Sequence, residues 1–224
     1  MPGEPDKHSS RYEGLKNKQR ELRSGFSEEL TLRVHRGLSW YGRACNEVSD
    51  QDVRFILLWI AFNATYASFI NGDSSGDKQT FKSFFRTLIS LNRSRSIYQL
   101  VWYRFSKPIR GLLDNRFVFA PFWEHYNGLP GNRDWADKLE RDSSIVDEAV
   151  KRLDTATILP VLFERLYVLR NQLVHGGSTW ASKVNREQVC DGADILIELV
   201  PIFIDIMMDN PKHPWGKPYY PVVD

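Results

Sequence analysis

Cysteine is scarce: the 224 residues hold two, Cys45 and Cys190, and neither belongs to a C-x-x-C pair. A disulfide framework is excluded and the thiolate zinc motifs are missing. Histidine is also sparse, and His35, His125 and His213 lie far apart with no pair at metal-ligand spacing. No metal and no cofactor are therefore expected. Long apolar runs are lacking too: 55–64 and 195–208 are the most hydrophobic stretches, each too short or too interrupted to span a bilayer. The first 25 residues have no apolar core of the secretory kind. Strict apolar alternation, internal repeats and a recognisable linker are absent as well. These gaps predict a cytoplasmic protein with no membrane partner, reduced cysteines and a single all-α domain.

What is present is a globular composition, 42% hydrophobic and 26% charged, with charge unevenly placed. Nine Lys and Arg fall between Lys78 and Arg116 against Asp114 alone, so this stretch carries +8 and the remainder −6. Such a segment suits contact with phosphates. Residues 1–24 are polar and read as a flexible arm. Phe26, Leu30, Val34, Leu38, Tyr41 and Cys45 follow helical spacing from Ser27 to near Val48. The run 49–52 offers caps to a second helix bearing Phe55, Leu58, Trp59, Phe62, Tyr66 and Phe69, widened by Ile56, Ile60 and Ala67. It is apolar over most of its circumference and belongs at the centre, with Asn71-Gly72-Asp73 as its stop. Helices are predicted over 78–91 and 96–113, the latter bent or broken by Pro108. An irregular aromatic insertion is expected over about 115–143, with Phe117, Phe119, Phe122, Trp123 and Trp135 turned inward. Helices resume over 145–156, 158–175 with Pro160 in the first turn, and 185–208 with a kink at Pro201. One domain thus covers 25–208, and 209–224 is an extended proline-rich tail.

The segment Arg170-Asn171-Gln172-Leu173-Val174-His175-Gly176-Gly177 closes the 158–175 helix. Asn171 and His175 share a face one turn apart, and the Arg170 side chain reaches the same edge. Histidine can exchange protons near neutral pH, and arginine can hold a phosphate and stabilise growing charge. These are the parts of a metal-free ribonuclease site. One histidine cannot serve comfortably as acid and base together, so a dimer with two facing copies is indicated. A second account stays open, in which both residues simply favour the negative end of the helix dipole. Asn63, polar within an apolar run, either bonds a neighbouring helix or orients the Arg170/His175 edge, and Tyr66 follows it three residues on. Tyr167 continues the Asn171/His175 face and can stack a base or fill core. Phe84, Phe85, Tyr98, Trp102, Tyr103 and Phe105, interleaved with the basic charges, are assigned to the interior.

RNQLVHGG resembles the R-x4–6-H motif of the HEPN superfamily, in which the residue after the arginine is typically polar. The run LLWIAFNATYA, residues 57–67, is similar to the second helix of a bacterial branch of that superfamily. The resemblance covers about 27–208 and leaves 115–143 and the tail without a counterpart. It implies a HEPN-type bundle of four or five main helices pairing as a homodimer. It also implies metal-independent endoribonuclease activity at a cleft between protomers, leaving a 2′,3′-cyclic phosphate. Arg170, Asn171 and His175 match the motif. The likeness further implies a toxin or anti-phage effector, with RNA as substrate and an antitoxin of nucleotidyltransferase type as partner. A catalytically silent module binding RNA, nucleotide or protein is the alternative within the same superfamily.

Overall fold

The computed structural model describes residues 7–66 and 76–222, and the chain there is built of helices with no β-strand. Ser27 caps α2 (Glu28–Asn46) by accepting the Leu30 N–H at 3.2 Å, with Glu28 and Glu29 on the positive end of the helix. Asp50 does the same for α3 (Gln51–Tyr66), accepting the Asp52 and Val53 N–H groups at 3.0 Å each. As its composition demanded, α3 is central: Phe55, Leu58, Ala61 and Phe62 are fully buried. The expected continuation to Ala67 and Phe69 and the stop at 71–73 lie outside the described residues.

Phe62 joins four helices at once. Its ring centroid lies 4.5 Å from Phe163 on α9 (Thr155–Val174), and 6.2 Å from Phe85 on α4 (Gly76–Leu91). It also lies 6.3 Å from Phe203 on α10 (Arg186–Asp209). Each ring removed from water contributes roughly 1.5–3 kcal/mol, so this cluster supplies a large part of the core. Gly192 lets α10 come close, since a Cβ there would sit 2.7 Å from the Phe55 ring.

The predicted flexible arm over 1–24 is wrong for Lys7–Leu22, which form helix α1. Leu15 and Gln19 are its buried residues, and Tyr12 packs against Gly42, where a Cβ would lie 2.6 Å from the ring. The rest of the attachment is ionic. Lys7 and Arg11 reach Glu198 at 2.9 and 3.0 Å, and Lys18 reaches Asp205 and Asp209 at 2.5 and 2.6 Å. A helix docked through charges carries little apolar stripe, which is why its periodicity was silent.

Segment 96–113 is divided into α5 (Ser96–Gln99), a wide helical turn over Leu100–Arg104, and α6 (Ser106–Leu113). The break falls at Phe105, before Pro108. Proline has no N–H for the Arg104 carbonyl and its ring crowds that oxygen, so Pro108 settles in the first turn of a new helix. The irregular insertion over 115–143 is largely helical: α7 spans Ala120–Tyr126 and α8 spans Trp135–Lys151. Phe119 and Phe122 are buried, but Phe117 and Trp123 are each 38% exposed, so the inward assignment fails for those two. The helix expected over 145–156 ends at Lys151, and Leu153 turns the chain with φ +53°. Asp154 then caps α9 through the Ala156 and Thr157 N–H groups, placing Pro160 inside that helix and not in its first turn. Arg165 of α9, 2% exposed, pairs with Asp142 of α8 at 3.1 Å and stacks on Phe119 at 4.4 Å.

α10 runs through Pro201 to Asp209. The described part of the tail turns at 211–213 and bends again at 219–220, and it is tied to α2: Arg33 donates to the Gly216 and Lys217 carbonyls at 3.1 and 3.0 Å. Arg33 also reaches the Thr65 carbonyl at 3.1 Å, so it holds the end of α3 as well. Among the described residues no helix is long and apolar enough to cross a membrane.

Glu198 receives Arg104 at 2.6 Å in addition to Lys7 and Arg11. Burial alone would push its carboxyl up, but Lys7, Arg104 and Arg11 outweigh this and hold it below the usual carboxylate range. The stabilisation is present above the unfolded value of about 4.3 and is lost as pH falls through the lower folded value. Glu198→Gln should lower stability at pH 7 by roughly 1–3 kcal/mol, because it leaves clustered cations without their acceptor. Thermal unfolding of both proteins from neutral to acid pH should show the gap closing below about pH 4. A gap independent of pH would show that the charge is not what matters.

Candidate functional site

The C-terminal third of α9 turns one face outward. Tyr167, Val174 and His175 are exposed, and Arg170 and Asn171 are half-buried. At 3.6 residues per turn these five fall within an arc of about 140°. The helix stops as the glycines require. The His175 N–H donates to the Asn171 carbonyl at 3.0 Å, Gly176 adopts φ +70°, and the Gly177 N–H returns to the Gln172 carbonyl at 2.7 Å. Only a residue without a Cβ takes that φ freely, so Gly176 fixes where His175 stands. Arg170 Nη1 donates to Asn171 Oδ1 at 2.9 Å, and no carboxylate pairs with Arg170 among the described residues. The guanidinium therefore keeps donors to spare, five residues before the exposed His175.

Gln172, on the adjoining face, ties two segments to this helix end. Its Nε2 donates to the Phe117 carbonyl at 2.7 Å, and its Oε1 accepts from Asn185 at 3.0 Å. Phe117 also accepts the Trp123 indole N–H at 2.8 Å, so the aromatic segment before α7 is anchored against the motif. The loop 176–185 folds back onto the start of α3. Asp52 accepts the Ala181 N–H at 2.8 Å and pairs with both terminal nitrogens of Arg186. Asp50 accepts the Trp180 indole N–H at 2.7 Å. The Val53 N–H bond, with help from Trp180 and Arg186, holds the Asp50 carboxyl below its usual range, so this contact is charge-assisted at neutral pH. Between loop, α3 and α9 lies an open groove of about 270 Å³ lined by Val53, Ile56, Leu57, Leu173, Ser178 and Trp180, with Asp52 at its edge.

α3 and α9 run antiparallel, and this separates the remaining candidates. The start of α3 meets the end of α9 around Leu173, whereas Trp59 meets Phe163 and Tyr167 at 6.3 and 6.1 Å. Asn63 and Tyr66 lie further along, level with or beyond Phe163, which is about 18 Å of helix from His175. Asn63 is half-buried and hydrogen-bonds none of the described residues; Tyr66 stacks on Phe81 at 4.3 Å. Neither sits beside Arg170 and His175. Tyr167 does share their face, with 42% of its surface exposed. Asp52, Gln172 and Trp180 are the residues that sequence spacing missed, because their contacts span 55 to 134 positions.

The basic segment is partly spent on structure. Arg104 serves Glu198, Arg110 pairs with Asp147 at 3.0 Å, and Arg95 and Arg116 stack on Tyr98 and Phe117. Lys82, Arg86, Arg93 and Lys107 remain exposed without ion pairs among the described residues. Tyr103, assigned inward, is 77% exposed. Among the described residues no three of His, Cys, Asp and Glu are placed to hold a metal ion. Comparisons with protein-family models, curated proteins and solved structures return no match for this chain.

Asp52→Ala should free the loop, since it leaves Arg186 and the Ala181 N–H without their acceptor. A stability loss of roughly 2 kcal/mol is expected, with faster amide exchange across 176–186. Unchanged exchange there would show that the loop is held by other contacts.

Proposed function

We propose that this chain is a metal-independent endoribonuclease of HEPN type that works as a homodimer. The observation that carries the reading is the exposed His175 held at a glycine stop at the same helix end as the hydrogen-bonded Arg170 and Asn171, with Arg170 unpaired by any described carboxylate. The exposed Tyr167 and Val174 on the same face offer apolar area for a second copy. In the proposed step the ribose 2′-oxygen attacks the adjacent phosphorus and gives its proton to one His175. The bond from phosphorus to the 5′-oxygen breaks, and His175 of the second copy protonates that leaving oxygen. The products are a 2′,3′-cyclic phosphate and a free 5′-hydroxyl. Arg170 holds the phosphate oxygens and steadies the charge they gain, while Asn171 fixes the guanidinium. Lys82, Arg86, Arg93 and Lys107 supply positive surface for RNA outside the cleft. A toxin or anti-phage role, with an antitoxin of nucleotidyltransferase type, accompanies this reading through the superfamily resemblance.

Purified protein should cleave RNA in the presence of a chelator. His175→Ala should reduce the rate by about 10²–10⁴, as expected for loss of proton transfer, with an unchanged circular dichroism spectrum. Arg170→Ala should act in the same direction. Equal cleavage by His175→Ala and wild type would refute the site, and RNA binding without cleavage by either would favour the silent module.

A further inference from the structure

We propose that the groove between the start of α3 and the loop 176–185 is a nucleobase subsite, with Trp180 as its stacking platform; this rests on the ribonuclease reading above. Trp180 is 76% exposed, yet its position is fixed by the indole N–H bond to Asp50 at 2.7 Å. An aromatic ring held by its polar edge with its surface in water is arranged for stacking, because little ordering remains to be done on binding. The loop behind it is pinned by Ala181 to Asp52 and by Asn185 to Gln172.

Size and polarity choose the occupant. A groove of about 270 Å³ walled by Val53, Ile56, Leu57 and Leu173 takes a flat base and is small for a helix or strand. Its one carboxylate, Asp52, is committed to Arg186 and Ala181, so the pocket is closed to a phosphate and suited to a neutral ring. Ser178 lines the groove, and its hydroxyl bonds none of the described residues, so it is available to read a base edge. Position adds to the case: Leu173 and Ser178 lie two residues before and three after His175, which puts the groove at the same end of α9 as the motif. Trp180 is thus a substrate-binding residue that sets preference at one position, not a proton-transfer group.

The test uses His175→Ala protein, so that RNA is bound and not consumed, and a short fluorescein-labelled single-stranded RNA read by anisotropy. The comparison probe is the same RNA with abasic nucleotides. Trp180→Ala should weaken binding of the intact RNA roughly five- to a hundred-fold and leave abasic RNA unaffected. Trp180→Phe should retain most of the affinity. An equal loss on both probes, no loss on either, or no RNA binding at all overturns the proposal. So does conversion of a dimer to monomer by Trp180→Ala in light scattering, which would make the groove a protein interface. Should His175→Ala protein still cleave RNA, the assignment of His175 as the proton-transfer group fails while the stacking result stands separately.

Discussion

A helix apolar over most of its circumference has nowhere to lie but near the middle, and α3 is such a helix. Phe55, Leu57, Leu58, Trp59, Ala61 and Phe62 are all buried, so the chain must supply cover from several directions. α2 and α10 cover part of it, and α4 and α9 meet at Phe62 to cover the rest. α9 runs antiparallel to α3, and this sets the location of the candidate site. The end of α9 is carried to the polar, capped start of α3, where Asp50 and Asp52 wait, and away from the aromatic centre. Solvent-facing residues at that end are free for chemistry because the core has already been completed elsewhere.

Around this centre, each peripheral piece is attached by a charged side chain placed at least partly out of water. Glu198 gathers α1 and the wide turn before α6; Arg165 holds α8; Arg33 holds the tail; Asp52 holds the loop after α9. Such groups contribute less net stability than an apolar replacement could, since desolvation offsets much of the attraction. They do impose uniqueness, because a buried charge tolerates few alternative neighbours. Arg165 between Asp142 and Phe119 shows the consequence: an aromatic segment with no obvious heptad is set in one place against the motif helix.

Local signals carried most of the fold. The caps at Ser27 and Asp50, the apolar stripe of α3 and the glycine pair after His175 were all legible, because each depends on residues within one or two turns. The reading faltered where structure depends on distant partners. α1 has no stripe to read because its partners are Glu198 and Asp205, nearly the whole chain away. Asp154 was a readable cap, but the apolar periodicity on either side drew the boundary past it. The candidate residues divide in the same way: Arg170, Asn171 and His175 stand within six positions at one helix end, so their proximity along the chain is legible from spacing. Of the two roles open to Asn63, orienting the Arg170/His175 edge is disfavoured by the antiparallel register, which carries Asn63 and Tyr66 away from that end, while Trp180 and Asp50 stand 130 residues apart and leave no trace in spacing.

The two ends of the described chain are fastened by opposite chemistries. The N-terminal helix hangs on carboxylates, Glu198 with Asp205 and Asp209, whose charge acid removes. The C-terminal tail hangs on Arg33 through main-chain oxygens of Gly216 and Lys217, which no ordinary pH can neutralise. Acid below about pH 4 therefore loosens the seat of α1, while the tail keeps its hold along α2.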